Sequence, residues 1–340
     1  MRQRSQRKKL LLCFLFCVAA FYLHAGAKKR EPVRLITKAN IAAAIDQDIR
    51  LGVLPESLEL DIEGIPTKLR AKYSLDLDLQ ARAQRLFDLY KPDYGAFVAM
   101  DPETGRILSM ISYTHGRKLE RNLALSASVP AASIFKIVSA GAALDRKKIN
   151  PDTIISFNGA NHTLYRRNLF SVQNNRWTRH MSVKDAFAKS VNVVFGKIGV
   201  FFLSPTELNE YAERFLFNRQ IEADVPVEVG MYTLTDDNSW GMAEAASGFN
   251  QAVMMSPLHG AMIASSIINN GLMMEPYMVE RLDGDSGLTY EALPVEAGQA
   301  VSPEASQMLH QMMVQTVKSG TSRKAFRTLM RKKKFAELTV

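Results

Sequence analysis

The order of the helix and strand patterns constrains the fold of this 340-residue chain more than any single motif does. From Asp76 onward, a helical pattern is followed by two short apolar runs around a Pro/Gly turn, which is typical of an antiparallel hairpin. Further helical patterns, a strand-like run at Pro276–Leu282 and a last helix from Ser302 to about Val317 come after the hairpin. Since regular β-α-β alternation is absent, the sequence predicts an α+β fold.

Capping residues mark several helix boundaries. Ser256-Pro257 and Ser302-Pro303 each place an N-cap serine before a proline at the first helical position. Gly271 is typical of the end of a helix. A helix is also predicted near Asn40–Ile49, whereas residues 151–181 are polar and aromatic and are predicted to form loops.

The first 27 residues have the composition of a membrane-targeting segment. Five basic residues up to Lys9 precede an apolar run from Leu10 to Leu23, and the small residues Ala25-Gly26-Ala27 follow. The 14-residue run has the length of a signal-peptide core, and the 18 residues up to Ala27 reach the lower limit for a membrane span. We favour an uncleaved anchor over a cleaved signal peptide. In either case the preceding basic charge predicts a body on the periplasmic side.

Charge and cysteine are concentrated at the chain ends. Residues 1–30 hold eight basic and no acidic side chains, and residues 322–340 hold seven basic and one acidic, so the body between them is net negative. A nucleic-acid-binding domain would carry its positive charge on the folded face, whereas this chain carries it at the ends, so we expect no nucleic-acid partner. Both cysteines, Cys13 and Cys17, lie in the targeting segment, which predicts a body without disulfides or thiolate metal sites.

Ser133-Ile-Phe-Lys136 places a hydroxyl and an amine three residues apart at the start of an apolar helical pattern. This spacing brings both groups to one helix face. A buried lysine there would have a lowered pKa and could accept the serine proton, which would make Ser133 a nucleophile. The pattern alone has little specificity, because Ser5-Gln-Arg-Lys8 repeats it in the basic N-terminus.

A second polar pair, Ser190 and Asn192, joins two apolar helical runs within residues 183–203. Polar side chains in such a position need hydrogen-bond partners, either as a helix cap or as part of a site. Ser156-Phe-Asn158 has the same spacing, so this pattern by itself does not choose between the two roles.

Together these elements resemble penicillin-binding protein transpeptidases, which belong with the serine β-lactamases and carry S-x-x-K, S-x-N and K-T-G motifs. Ser190 follows Ser133 by 57 residues, behind the predicted hairpin and an export signal. The likeness begins near Tyr73 and includes the stretches GAFVAMDPETGRILSMI and SGFNQAVMMSPLHGAMIASSIINNGLMMEP. It implies an antiparallel sheet flanked by a helical subdomain, with residues 76–340 as the transpeptidase domain and 28–75 as a juxtamembrane stalk or small module.

The resemblance also implies roles for the two motifs. Ser133 would attack a D-alanyl-D-alanine stem peptide of peptidoglycan or a β-lactam, and Lys136 would accept its proton. Ser190 would relay the proton to the leaving amine, while Asn192 would bind the substrate amide and help to place Lys136. The Ser133 backbone N–H would form half of an oxyanion hole. Stem peptides, β-lactams, the membrane and other cell-wall synthesis proteins are the implied partners, and no cofactor or metal is implied.

The third motif departs from the family pattern. Lys318-Ser-Gly-Thr321 matches K-[ST]-G-T, but helical patterns precede and follow it, which predicts a turn where the family has a strand. We therefore expect the third-motif strand beyond Val340, with the C-terminal strands missing. The alternative is that Lys318 belongs to the motif. In the first case the hairpin would expose an unpaired edge, and acylation would lack part of its machinery.

Two other functions remain as alternatives. A D,D-carboxypeptidase would resolve the same acyl-enzyme with water, and a cell-wall or division scaffold would keep the fold without catalysis. The six histidines show no paired ligand spacing, which disfavours zinc, and no G-x-S-x-G, P-loop or G-x-G-x-x-G pattern occurs. The Glu-x-x-Leu-Asn element of class A β-lactamases is absent as well, which disfavours a β-lactamase.

Overall fold

Helices and short antiparallel strands follow one another along the chain, and the computed structural model describes residues 36–171, 175–234, 239–285, 287 and 289–331. The first elements are α1 (Lys38–Arg50), β1 (Ser57–Ile62), β2 (Ile65–Tyr73), α2 (Leu77–Tyr90), β3 (Tyr94–Met100) and β4 (Ile107–Thr114). The next are β5 (Val129–Pro130), a 3-10 turn (Ala132–Ile134), α3 (Phe135–Asp145), β6 (Ile154–Phe157), α4 (Arg166–Phe170), β7 (Arg179–Ser182), α5 (Val183–Ala188), α6 (Asn192–Phe202) and α7 (Pro205–Arg214). The last are α8 (Ser239–Ser247), β8 (Met254–Met255), α9 (Pro257–Ile268), β9 (Leu272–Met274), β10 (Val279–Asp283), β11 (Thr289–Glu291), β12 (Glu296–Gln299), α10 (Pro303–Lys318) and α11 (Arg323–Arg331).

A four-stranded sheet joins the N-terminal part of the chain to its last third, in the order β1-β2-β10-β11. β2 and β10 pair antiparallel, with Ala71 opposite Leu282. Helix α1 packs on β1 and buries Ile41, Ile45 and Ile49, which its four-residue spacing places on one face. Strands before the predicted boundary at residues 75 and 76 therefore share a sheet with strands after it. The domain limits themselves stay a prediction.

The predicted hairpin is confirmed as β3 and β4, with Val98 opposite Met110. The side chain of Asp76 caps α2 by accepting the N–H of Leu79. Gln80 of α2 then binds β4, because its amide donates to the Met110 carbonyl and accepts the Ser109 hydroxyl. Within the described part of the chain, β3 has β4 as its only strand partner, so its other edge is unpaired.

Helix α3 lies at the centre of the helical half of the molecule. Ten successive residues from Phe135 to Leu144 are buried, and α6, α7, α8 and α10 pack around them. A helix that is apolar on all sides needs such a complete shell of neighbours. Neighbouring helices therefore fix the position of α3, the helix that begins within the Ser133–Lys136 motif.

Two regions differ from the sequence-based expectation. Residues 151–181 contain the paired strands β6 and β7 and the short helix α4, where loops were predicted. The alternation of β6 is concealed because its exposed residue, Ile154, is as apolar as the buried Ile155 and Phe157. The helical run at 183–203 is two helices, α5 and α6, separated at Ser190, which has φ +53°. The capped starts of α9 and α10 are confirmed.

Candidate active site

Ser133 lies at the exposed end of the buried helix α3. It belongs to the 3-10 turn between β5 and α3, and the preceding residue, Ala132, has φ +48°. That region is costly for a residue with a Cβ and is often retained where a functional site requires it. The backbone on both sides of the turn is fixed, because the Ala131 N–H donates to the Val253 carbonyl and the Ile134 N–H to the Ala131 carbonyl. The Ser133 side chain is thus accessible on a rigid support.

Lys136 lies one helical turn further on and is 2% exposed. Its Nζ is 2.9 Å from Ser133 Oγ, 2.8 Å from Asn192 Oδ1 and 2.6 Å from the carbonyl oxygen of Ser247. The ring of Phe195 lies below it, with 5.7 Å between Nζ and the ring centroid. Burial lowers the pKa of Lys136 from 10.5 to about 7, because an ammonium loses its hydration there. The amine can therefore be neutral near neutral pH and act as a base.

Ser190 and Asn192 reach the same point from the break between α5 and α6. The Ser190 hydroxyl is 2.9 Å from Ser133 Oγ and donates to it. The Asn192 amide nitrogen donates to the His162 carbonyl at 3.0 Å, which leaves its oxygen for Lys136. The four side chains singled out in the sequence thus form one hydrogen-bonded cluster. Such a cluster can remove a proton from a serine hydroxyl and pass it on through a second hydroxyl.

The sequence interpretation missed the C-terminal end of α8, which forms the inner wall of the site. The Ser247 carbonyl accepts a hydrogen bond from Lys136, and the next residue, Gly248, has φ +64°. A carbonyl contact leaves no side-chain signature. A glycine directly after a helical pattern was the one available sign of a close backbone approach.

Lys318 does not lie on a strand, and the turn between two helices that the sequence predicted follows it. It is the last residue of α10, and α11 begins at Arg323. The N–H of Thr321 donates to the Ala188 carbonyl at 3.0 Å, which docks this turn on the end of α5. Val340, beyond which the third-motif strand was expected, lies outside the described residues.

The predicted membrane segment, residues 1–27, also lies outside the described residues. In the part of the chain that the structure describes, no helix is both long and apolar enough to cross a membrane.

The fold is α+β, and an exposed serine and a buried lysine lie side by side at the start of its central helix, as the resemblance to penicillin-binding protein transpeptidases implied. Residues 95–333 match the penicillin-binding protein transpeptidase domain, which is more than half of the chain. The chain therefore belongs to the penicillin-binding protein transpeptidase family, and the predicted family is confirmed.

Curated relatives agree with this assignment. The peptidoglycan D,D-transpeptidase PbpA of Mycolicibacterium smegmatis is 28% identical over 256 residues, which cover 66% of this chain and 50% of that protein. Stage V sporulation protein D of Bacillus subtilis is 25% identical over 281 residues, covering 76% of this chain and 42% of the relative. The chain thus spans about half the length of the curated relatives that it matches.

Solved structures confirm the predicted α+β fold. The D,D-transpeptidase domain of a peptidoglycan glycosyltransferase from Eggerthella lenta has a TM-score of 0.62 and 25% identity, covering 74% of this chain and 67% of that chain. Penicillin-binding protein A from Mycobacterium tuberculosis has a TM-score of 0.62 and 23% identity, covering 74% and 64%. The second likeness is one of fold alone.

Proposed function

We propose that this chain carries the transpeptidase domain of a peptidoglycan D,D-transpeptidase that works through an acyl-enzyme on Ser133. One observation carries the proposal: the buried amine of Lys136 lies 2.9 Å from Ser133 Oγ, and burial lowers the pKa of Lys136 to about 7. A neutral amine within hydrogen-bond distance of a serine hydroxyl is what general-base activation requires. The names of the relatives, which include peptidoglycan D,D-transpeptidases, support the same reaction.

The first half-reaction forms an ester on Ser133. The Ser133 oxygen attacks the carbonyl carbon between the two D-alanines, and its proton goes to Lys136. The Ser133 backbone N–H stabilises the negative charge that develops on the carbonyl oxygen. When the C–N bond breaks, the terminal D-alanine leaves with a proton that Ser190 relays from Lys136. Asn192 keeps its oxygen on Lys136 and offers the second N–H of its amide group to the substrate.

The second half-reaction transfers the acyl group to an amine. The amine of a neighbouring stem peptide attacks the ester carbonyl, the Ser133 C–O bond breaks, and Ser133 regains a proton. Water in place of the amine would make the protein a D,D-carboxypeptidase. We prefer the transpeptidase, because the curated relatives are named for that activity.

β-Lactams fit the same first step, because opening the lactam ring gives an ester on the attacking serine. Penicillin-binding protein A from M. tuberculosis is known as acyl-enzyme complexes with penicillin G and with imipenem. We extend this reactivity to Ser133 as part of the proposal.

A fluorescent penicillin tests the proposed function in the full-length protein. The wild type should become labelled, Ser133→Ala should abolish the signal, and Lys136→Met should slow labelling about 10²-fold or more. Lys197→Met is a matched control, since burial also lowers the pKa of Lys197 but its amine donates to the Ser156 carbonyl instead of Ser133. It should label at the wild-type rate. Equal labelling of the wild type and Ser133→Ala would overturn the assignment.

For location, we propose that residues 1–27 anchor the protein in the cytoplasmic membrane and that the body, including the 28–75 segment, lies in the periplasm. Peptidoglycan cross-linking takes place on that side, which supports the proposal. Cell fractionation should recover the protein with membranes, and a protease added to the periplasm should digest the body. Recovery of the intact protein in the cytosol would contradict this location.

A further inference from the structure

The shortest hydrogen bond of Lys136 goes to the main chain. Its Nζ is 2.6 Å from the Ser247 carbonyl oxygen, compared with 2.8 Å to Asn192 Oδ1 and 2.9 Å to Ser133 Oγ. A carbonyl can only accept hydrogen bonds. Asn192 Oδ1 is likewise only an acceptor, and the orientation of the amide group is fixed because one of its N–H groups donates to the His162 carbonyl.

The number of N–H groups on the Lys136 amine explains why two acceptors are needed. An ammonium has three N–H donors, but the neutral amine that acts as a base has two N–H groups and one lone pair. If Ser247 and Asn192 hold the two N–H groups, the lone pair is left facing Ser133. With one acceptor alone, rotation about the Cε–Nζ bond would turn the lone pair away from the serine hydroxyl.

Several contacts keep the Ser247 carbonyl in place. The Ser247 hydroxyl donates to the Ala243 carbonyl at 2.7 Å and the Gly248 N–H to the Ala245 carbonyl at 2.9 Å, so the end of α8 is closed. Ser139 of α3 donates to the Ala246 carbonyl at 2.8 Å, which ties α8 to the helix that carries Lys136.

Gly248 permits this close approach. A Cβ built on Gly248 would overlap the carbonyl of Ala132, directly before the serine, and the φ of +64° is unfavourable for other residues. Any larger residue would therefore push the end of α8 away from the site.

We propose that the Ser247 carbonyl, brought into the site by Gly248, orients the lone pair of Lys136 toward Ser133, which makes this peptide a positioning element for acylation. This inference rests on the proposed function, in which Lys136 is the base. It adds a main-chain group to the four side chains that the sequence pointed to.

The most direct test makes the Ser247 carbonyl a poorer hydrogen-bond acceptor without adding a larger side chain. Glycolic acid in place of Gly248 turns the Ser247–Gly248 amide into an ester, whose carbonyl is a poorer acceptor. Phenyllactic acid in place of Phe249 is the matched control: it also removes one main-chain hydrogen bond at the end of α8, that of the Phe249 N–H to the Glu244 carbonyl, but leaves the Ser247 carbonyl an amide. Both full-length proteins are treated with penicillin over a range of pH.

The glycolic acid variant should show two changes. Its maximal acylation rate should fall about tenfold, because the amine is no longer held in the productive orientation. Its half-maximal rate should move to lower pH, because a poorer acceptor stabilises the ammonium less and lowers the pKa of Lys136. A merely structural role would reduce the fraction of protein that labels and leave the pH of the half-maximal rate unchanged.

Gly248→Ala provides a second variant, with Gly64→Ala as its control. Gly64 has a similar φ of +82°, but a Cβ there would meet nothing within 4 Å. We expect the rate loss for Gly248→Ala only. A wild type that penicillin does not acylate would overturn the proposed function and this inference with it. A wild type that labels, beside a glycolic acid variant equal to the control, would overturn this inference alone.

Discussion

Ser133, in the 3-10 turn, and Lys136, in the first turn of α3, are neighbours that differ sharply in exposure. Lys136 is 2% exposed, whereas Ser133 opens to solvent at the end of α3. Burial destabilises the neutral amine far less than the ammonium, and its N–H groups find acceptors in Asn192 and Ser247. Placement at the junction of a buried helix and an exposed turn therefore buries the amine that we propose as the base and exposes the hydroxyl that we propose as the nucleophile.

The rate of acylation should depend on the protonation of Lys136. Burial lowers the pKa of Lys136 to about 7, so the ammonium predominates below that pH and the neutral base above it. The rate constant for penicillin should rise about tenfold per pH unit below pH 7 and level off above it. Stopped-flow measurement of acylation between pH 5 and 9 checks this, and a rate that is flat across the range would contradict it.

Ser190 and Ser156 allow a matched comparison, since both precede an asparagine by two residues. Ser190 donates to Ser133 Oγ, whereas the Ser156 hydroxyl contacts His180 on the paired strand β7. Ser190→Ala should slow acylation about 10²-fold through loss of the proton relay, and Ser156→Ala should leave the rate unchanged. Equal rates for the two variants would remove Ser190 from the mechanism.

For individual residues, the sequence predicted the side chains of the site better than its main-chain groups. The spacing of Ser133 and Lys136 on a helix, and the polarity of Ser190 and Asn192 between apolar helices, indicated four side chains that the structure brings together. The Ser247 carbonyl could not be predicted in this way, because every residue has one. Only tertiary packing decides which carbonyl reaches the lysine.

Contacts at the ends of the surrounding helices largely determine where those helices lie around the site. The break between α5 and α6 turns the chain so that Ser190 faces Ser133, and the Thr321 N–H closes the end of α5 by donating to the Ala188 carbonyl. A capped boundary is visible in sequence when a side chain does the capping, as Ser256 and Ser302 do. A helix boundary cannot be recognised in the sequence when a main-chain group from a distant residue caps it, as at Ala188.

Lys318 should be dispensable for acylation, because it ends α10 and is followed by a turn. Lys318→Ala in the full-length protein should keep the wild-type rate of penicillin labelling. Loss of labelling in this variant, without a change in melting temperature, would instead identify Lys318-Ser319-Gly320 as the third motif.

Asp224 connects the segment after α7 to β10. It is fully buried, and its carboxyl group accepts the N–H groups of Met278 at 2.8 Å and Val279 at 2.6 Å. Asp224→Ala would leave both N–H groups unpaired, so we expect a loss of about 3 kcal/mol in the free energy of unfolding. Urea denaturation measures this loss. Unchanged stability would show that other groups or water replace the carboxyl.

The same carboxyl group gives the stability a pH dependence. Burial raises the pKa of Asp224 from 3.8 to about 6, so the folded protein binds its proton more tightly than the unfolded chain does. The contribution of Asp224 to stability therefore falls as pH rises from about 4 through about 6. This slope should be absent from Asp224→Ala.

For the molecule as a whole, the order of patterns along the chain was enough to predict the fold class and not enough to predict the main sheet. The hairpin is local, and β3 and β4 were read from two apolar runs around one turn. The pairing of β2 with β10 joins segments at opposite ends of the described chain, and no local pattern encodes such a contact. Short strands such as β6 were missed for a related reason, because their partner strand supplies much of their order.

Mapping the site of penicillin attachment tests the central claim most directly. The full-length protein is treated with penicillin G, digested with a protease and analysed by tandem mass spectrometry. We predict that the mass of one penicillin appears on Ser133, in the peptide that lies between β5 and α3. Attachment at any other residue, or no attachment to a folded protein, would contradict the account.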